Sequence, residues 1–130
     1  MDKNFSEIID AIHENDPRYK TAAYEFLMDA LNFTQKKFKR SRHVNGEELL
    51  EGIKDLLMVR FGPMALTVLH HWGIKTTEDF GNVVFNLVNN RILSKTEEDS
   101  IETFRKGFDF NEIFQQGYRR QLEKRVSRMR

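Results

Sequence analysis

The side chains best suited to chemistry form an acidic group in the C-terminal third of the chain. They are Glu97, Glu98, Asp99, Glu102 and Asp109. Carboxylates can gather a divalent cation, and two carboxylates with a base are the minimal equipment of a hydrolase. Nothing in their spacing fixes a geometry, however, and acidic surface turns are common. A metal-dependent enzyme built on this acidic turn is therefore the least favoured function, and we expect no catalytic residue, metal ligand or cofactor.

The histidines do not form a ligand pattern. His70 and His71 are adjacent, about 100° apart around a helix, so they do not face one metal as an i, i+4 pair would. His13 and His43 reach them only through a tertiary contact that the sequence does not predict. The chain has no cysteine, which excludes thiolate metal sites, disulfides and thiol catalysis. It also lacks the phosphate-binding, nucleophile-elbow and zinc-protease motifs.

Two short basic patches are the candidates for nucleic-acid contact. Their residues are Lys36, Lys37, Lys39, Arg40 and Arg42 in the first patch, and Arg119, Arg120, Lys124 and Arg125 in the second. Phe38 and Tyr118 lie beside them, and aromatic faces among cations can stack on bases. The alternative is that one patch is an ordinary helix end with its loop and the other a solvated tail, because basic tracts without a presenting fold are weak indications.

The charge is otherwise balanced. The chain of 130 residues has a net charge of +1, with 39% hydrophobic and 32% charged residues, typical of a soluble globular protein. Acids outnumber bases in residues 1–30 and 46–115, so the body is acidic and the positive charge is local. We predict a single helical domain over 1–118 and a basic tail over 119–130 that frays at its end. No apolar run is long enough for a membrane helix.

Apolar periodicity predicts that the fold is mainly α, with about six helices around one core. The expected helices cover 5–14, 18–38, 46–61, 63–72, about 77–90 and a last one beginning near Asn111. Asn45 with Glu48 fits a capping box, and Thr76 or Thr77 caps the fifth helix. Gly62 and Gly73 suit helix ends, with Pro17 and Pro63 in first turns. Phe61, Trp72 and Phe80 fall on inward stripes and are assigned to the core.

Residues 92–105 are ambiguous between two structures. We favour a short β-hairpin with an acidic tip, while a short helix capped by Ser94 and ended by Gly107 fits nearly as well. Three helices followed by a hairpin match the order of a winged-helix domain, in which His43-Val44 would supply the extra strand.

In the winged-helix interpretation, the fifth helix would point three asparagines, Asn82, Asn86 and Asn90, towards a DNA groove, where asparagine can recognise adenine. Glu78 and Asp79 at the entry of that helix oppose this, because DNA affinity comes mainly from Lys and Arg. The same asparagines also fit ordinary exposed positions.

Several segments together resemble a small bacterial family that has no assigned activity. They are DPRY at 16–19 followed by AYEFLMDALNFTQ, RHVNGEELLEGI at 42–53, FGPMALTVLHHWGI at 61–74, TTEDFGNVVFNLV at 76–88, LSKTEEDS at 93–100 and FDF at 108–110. The resemblance covers about residues 14–114 and is specific only in aggregate. It implies a free-standing bacterial protein of the cytoplasm, and it transfers no catalytic residue.

These observations favour a non-enzymatic protein-binding or adaptor module whose partner is another protein or a second copy of the chain. Eleven phenylalanines exceed what the core stripes need and predict a Phe-bearing surface patch. Nucleic-acid binding through the two basic patches is the alternative, and no membrane partner is expected.

Overall fold

The computed structural model describes residues 4–39, 44–93 and 101–128, apart from the side chains of 101 and 116–121. Within these ranges the chain is mainly α, as predicted, and contains no β-strand. The helices are α1 (Phe5–Asn15), α2 (Thr21–Lys37), α3 (Gly46–Phe61), α4 (Ala65–Trp72), α5 (Thr77–Asn89), α6 (Ile101–Arg105) and α7 (Gly117–Arg128). A 3₁₀ turn, Gly62–Met64, joins α3 to α4, and a π-helical stretch, Asn111–Gln116, leads directly into α7.

The helix ends follow the predicted capping chemistry. Asn45 Oδ1 accepts from the Glu48 N–H at 2.8 Å, and Glu48 Oε1 accepts from the Asn45 N–H at 3.0 Å, which confirms the capping box of α3. At the start of α5, Asp79 Oδ2 accepts from the Thr76 N–H at 3.1 Å. Gly73 ends α4 with φ 83°, a left-handed conformation in which a side chain would be strained.

An aromatic cluster forms the centre of the core. The Phe26 ring lies 5.2 Å from Trp72, 6.1 Å from Phe61 and 6.3 Å from Phe80, measured between centroids. Phe26, Trp72 and Phe80 are buried, and Phe61 is half-buried against them. The assignment of Phe61, Trp72 and Phe80 to the core is therefore confirmed.

The tightest helix crossing lies between α2 and α3. A Cβ atom built on Gly52 would lie 1.8 Å from Oγ1 of Thr34, which is buried and donates to the carbonyl of Ala30 at 2.6 Å. Glycine at position 52 is thus what allows the two helices to approach this closely.

The connection from α1 to α2 differs from the prediction. Helix α2 begins at Thr21, so Pro17 is not in its first turn and residues 18–20 are not helical. The Lys20 N–H instead donates to the carbonyl of Trp72 at 3.1 Å, and the Tyr19 side chain is buried. This tertiary hydrogen bond to the end of α4 holds Lys20 in an extended conformation, and it outweighs the helical periodicity of the sequence.

The prediction of a second hairpin strand is wrong. Residues Ile101–Arg105 form α6, which buries Phe104 against the core, and the carbonyl of Phe104 accepts from the Thr77 hydroxyl. The hairpin tip, Ser94 and His43 lie outside the described residues, and Val44 is in an extended loop. With no strand in the described ranges, the winged-helix interpretation has no wing to support it there.

Among the described side chains, those that anchor the C-terminal helix lie at its beginning. Phe110 packs edge-on against Phe80 with centroids 6.1 Å apart, and Phe114 lies 5.9 Å from Phe110. Both rings are buried. From there the helix continues to Arg128, and α7 makes extensive contact only with the π-helical stretch that precedes it. The division into a body and a tail that frays at its end stays a prediction.

Candidate functional site

An apolar groove of about 570 Å³ opens between α2, α3 and the π-helical stretch. We call it the groove, and it is lined by Phe33, Lys37, Lys54, Asp55, Met58, Val59 and Ile113. Phe33, Met58 and Ile113 are half-buried, while Val59 exposes 77% of its surface. An aliphatic side chain this exposed beside half-buried apolar neighbours is a surface that a protein partner can cover.

Helix periodicity and the close α2–α3 crossing together create the groove. Asp55, Met58 and Val59 are three and four residues apart, so they share one face of α3. Phe33 precedes Thr34, the residue that packs on Gly52, and so lies where α2 runs along α3. The crossing that depends on Gly52 thus sets the width of the groove.

The charges around the groove neutralise one another. The Lys37 ammonium is paired with the carboxylate of Asp55 and lies 3.5 Å from Glu51 Oε1, while Lys54 lies 3.3 Å from Glu51 Oε2. The hydrogen bond to Asp55 raises the pKa of Lys37. Two cations facing two carboxylates leave an apolar floor with a rim of no net charge.

Helix α7 carries a second exposed apolar surface. We call α7, residues 117–128, the arm. Leu122 and Val126 are one turn apart on it and expose 46% and 47% of their surface. An isolated helix of this length is marginal in water, so the arm is a segment that gains stability when a partner covers it.

The predicted basic residues have different surroundings. Lys36 and Lys39 are exposed at the end of α2, but Lys37 is drawn into the ion pairs at the rim of the groove. Lys124 and Arg125 are exposed on the arm. The remaining predicted contacts, which lie outside the described side chains, are Arg40, Arg42, Arg119 and Arg120.

The asparagine row of α5 is not arranged to recognise DNA bases. Asn82 Nδ2 donates to the Tyr19 hydroxyl at 3.0 Å, and Asn86 Nδ2 donates to the Tyr24 hydroxyl at 2.9 Å. Both asparagines are half-buried, and exposed Asn90 donates to the backbone carbonyl of Asn86 at 2.8 Å. The interpretation of Asn82 and Asn86 as groove readers is wrong because the α1–α2 segment covers them, and they are not ordinary exposed positions either.

These asparagines belong to a polar cluster that the sequence patterns did not predict. Its members are Asp16, Arg18, Tyr19, Tyr24, Asp79, Asn82 and Asn86. The Tyr19 hydroxyl donates to Asp79 Oδ1 at 2.7 Å, and burial, with a smaller effect from Asp79, raises the pKa of Tyr19 to about 12. The only sequence signal for the cluster is the DPRY segment, which marks its position but not its contacts.

The Arg18 guanidinium holds Asp16 in a two-point ion pair. Arg18 Nε donates to Asp16 Oδ1 at 2.8 Å and Nη2 to Oδ2 at 2.7 Å, while Asn86 Nδ2 donates to Oδ2 at 3.0 Å. The hydrogen bonds from Arg18, reinforced by the one from Asn86, hold the pKa of the Asp16 carboxyl well below its usual range. Together these hydrogen bonds fasten the α1–α2 connection to α5.

The acids and histidines considered for chemistry do not converge in the described part of the chain. Arg105 is ion-paired with Glu102 and Glu78, and Asp109 Oδ1 accepts from the Glu112 N–H at 2.9 Å. His13 Nδ1 donates to the Tyr19 carbonyl at 2.8 Å, and His70 and His71 are exposed on α4. Among the described residues no group of three or more such side chains is placed to hold a metal ion. Glu97, Glu98 and Asp99 lie outside them.

No protein family, curated protein or solved structure compared with the chain matches it. The resemblance to a bacterial family therefore stays a prediction. None of the helices described is both long and apolar enough to cross a bilayer.

Proposed function

We propose that this chain is a non-enzymatic protein-binding module that uses the groove and the arm as its binding surfaces. The observation that carries the proposal is Val59, an aliphatic side chain 77% exposed at the edge of an apolar groove. Covering it removes apolar surface from water without desolvating an unpaired charge, because the rim lysines and carboxylates already neutralise one another.

The chemistry of the groove supports binding rather than catalysis. Its polar lining consists of Lys37, Lys54 and Asp55, all of which serve in ion pairs. A general acid or base needs a free proton-transfer group facing a bound substrate. The proposal does not require the winged-helix arrangement, and the bacterial cytoplasm remains its expected setting.

Site-specific photo-cross-linking in the native cells tests this function. A benzophenone amino acid at position 59 should form a defined adduct with a protein, whereas the same group at the exposed Glu14 of α1 should not. The absence of any position-59 adduct, at a level where the Glu14 control is equally expressed, would show that the groove binds no protein.

Nucleic-acid binding through the arm is the second candidate function. Lys124 and Arg125 are adjacent and exposed on a helix that stands clear of extensive contacts with the body. This candidate predicts RNA or single-stranded DNA affinity that falls steeply with salt and is reduced by Lys124→Gln/Arg125→Gln. The variant Leu122→Gln/Val126→Gln keeps every charge and should bind nucleic acid as well as wild type does. Flat binding curves at low salt would eliminate the candidate.

A further inference from the structure

We infer that the arm of a second copy of this chain occupies the groove, so that two copies exchange arms in a symmetric dimer. The inference rests on the proposed protein-binding function and names its partner. Each copy then supplies one arm and one groove, and both unpartnered apolar surfaces are covered at once.

The arm starts at the groove. Ile113 lines the groove and lies in the π-helical stretch that continues without a break into α7. The neighbouring Phe110 and Phe114 are buried, which fixes the beginning of the arm on the body. The position of the arm relative to the groove is therefore set by a rigid anchor rather than by a flexible loop.

The arm cannot fill its own groove. Leu122 and Val126 lie nine and thirteen residues beyond Ile113, about 14 Å and about 20 Å along a continuous helix. Reaching the groove of the same copy would need a reversal of the chain, and the helix has no break before Arg128. A groove on another copy has no such restriction.

A two-fold axis closes this arrangement. If the arm of the first copy lies in the groove of the second, the same rotation brings the arm of the second into the groove of the first. The assembly ends at two copies, since no arm or groove is left open.

The charges favour binding of the arm to α3 and disfavour packing of one arm against another. The arm carries five Arg or Lys residues and one Glu, so two arms packed together would repel each other. Helix α3 has an acidic row at four-residue spacing, Glu47, Glu51 and Asp55, and Val59 follows at the same spacing. Leu122 and Val126 can therefore cover Val59 while the arm's cations approach Glu47, the acid of that row outside the ion pairs of Lys37 and Lys54.

Two surface variants test the groove and the arm separately. Val59→Lys places a cation in the groove against the basic arm, and its i, i+4 relation to Asp55 is favourable for the helix. Leu122→Gln/Val126→Gln removes the apolar face of the arm without changing its charge. All three side chains are substantially exposed, so neither variant disturbs the core. Phe5→Lys, at an exposed apolar position on α1, is the matched control.

Sedimentation velocity on the full-length chain gives the readout. We expect wild type and Phe5→Lys to be dimers at high micromolar concentration. Val59→Lys and Leu122→Gln/Val126→Gln should each raise the dissociation constant about tenfold or more, equivalent to the loss of one good apolar contact in each half. Circular dichroism should show the same core helix content in all four proteins.

Mixing the two defective variants tests the exchange itself. Val59→Lys retains an intact arm, and Leu122→Gln/Val126→Gln retains an intact groove, so the mixture can form one correct contact. We expect a heterodimer when one variant carries a fluorescent label, tighter than either homodimer. A wild-type monomer would overturn the inference, as would a dimer that both variants leave unchanged, or a mixture that forms no heterodimer.

The outcomes also separate this inference from the proposed function. A monomeric chain whose position-59 cross-linker captures a different protein overturns the arm exchange and leaves the protein-binding function standing. A monomer without any cross-linked product overturns both. A monomer that binds RNA, with the loss confined to Lys124→Gln/Arg125→Gln, replaces both by the second candidate function.

Discussion

At the scale of single residues, Asp16 links two parts of the fold that are distant in sequence. Its carboxylate accepts from Arg18, two residues away, and from Asn86, seventy residues away. The ionised form makes all of these hydrogen bonds, so protonation weakens them together. This is the physical reason that the pKa of the Asp16 carboxyl lies below its usual range.

Replacing Asp16 by Asn should change the dependence of stability on pH. A carboxyl with a depressed folded-state pKa stabilises the fold above the unfolded-state value of about 3.9, and that contribution is lost as the pH falls through the folded-state pKa. We expect Asp16→Asn to be less stable than wild type at pH 7, with the difference shrinking below about pH 4.

Urea unfolding followed by the fluorescence of Trp72 measures this difference at several pH values. Asp10→Asn is the matched control, since Asp10 is an exposed carboxylate of α1 outside the polar cluster. A deficit in Asp16→Asn that stays constant from pH 7 to pH 3 would contradict the assigned role.

Whether Gly52→Ala raises or lowers the free energy of unfolding tests the close contact between α2 and α3. In an exposed helix, replacing glycine by alanine typically stabilises by up to about 1 kcal/mol. Here the added methyl would lie 1.8 Å from Thr34 Oγ1, so α2 and α3 must separate. We expect Gly52→Ala to lower the free energy of unfolding by about 1–3 kcal/mol.

A double mutant checks that Thr34 causes this loss. Thr34→Ala removes Oγ1 and leaves Cβ at 2.9 Å from the added methyl, so the combined variant should recover part of the stability. A stabilised Gly52→Ala protein, or strictly additive effects of the two substitutions, would contradict the proposed close contact.

At the scale of secondary-structure elements, α7 differs from the other helices in what holds it. Helices α2, α3 and α5 each bury several apolar side chains in the core, whereas the described side chains of α7 are exposed. Among the described side chains of the C-terminal segment, Phe114 is the last one that is buried. Stability and binding are thus assigned to two successive parts of one continuous helix.

Removing the exposed part of the C-terminal helix and removing a buried ring at its beginning should have very different effects on stability. Deleting residues 122–130 should leave the free energy of unfolding within about 0.5 kcal/mol of wild type in dilute solution, because the side chains described there, at 122–128, are all exposed. Phe114→Ala, which empties a buried aromatic site, should cost about 3–5 kcal/mol. Urea unfolding at low concentration measures both, and a large loss on truncation would show that the arm packs on its own body.

At the scale of the whole molecule, the proposed arm exchange makes stability depend on concentration. A partner that binds only the folded chain stabilises it by mass action. We expect the thermal midpoint of wild type to rise as protein concentration increases, whereas that of Val59→Lys should rise less over the same range. Scanning calorimetry over a wide concentration range provides the measurement. Parallel curves for the two proteins would mean that the groove takes no part in self-association.

Local patterns in the sequence predicted much of the fold. The capping box at Asn45, the helix end at Gly73 and the inward position of Phe80 depend on neighbours within one or two turns, and the structure has them. The start of α2 and the structure of residues 101–105 were predicted wrongly. In both places a long-range hydrogen bond, to Trp72 or to Thr77, determines the backbone conformation.

The candidate site was not predictable in the same way. Val59 follows the apolar period of α3 only loosely, and nothing local indicates that Phe33 and Ile113 approach it. The polar cluster shows the same limit, since Asn82 and Asn86 meet partners more than sixty residues away. Hydrogen-bonding capacity is readable from residue type, but the identity of the partner is not.

The sequence by itself therefore determined that the chain is mainly helical, where most helices begin and end, and which aromatic residues form the core, because backbone capping and apolar periodicity are local properties. Only the tertiary structure decided that the α5 asparagines are covered, that Lys37 serves an ion pair, and that a groove and an arm remain unpartnered. Those outcomes depend on how closely α2 and α3 approach at Gly52 and on where Phe110 and Phe114 fix the last helix, and both are long-range packing contacts.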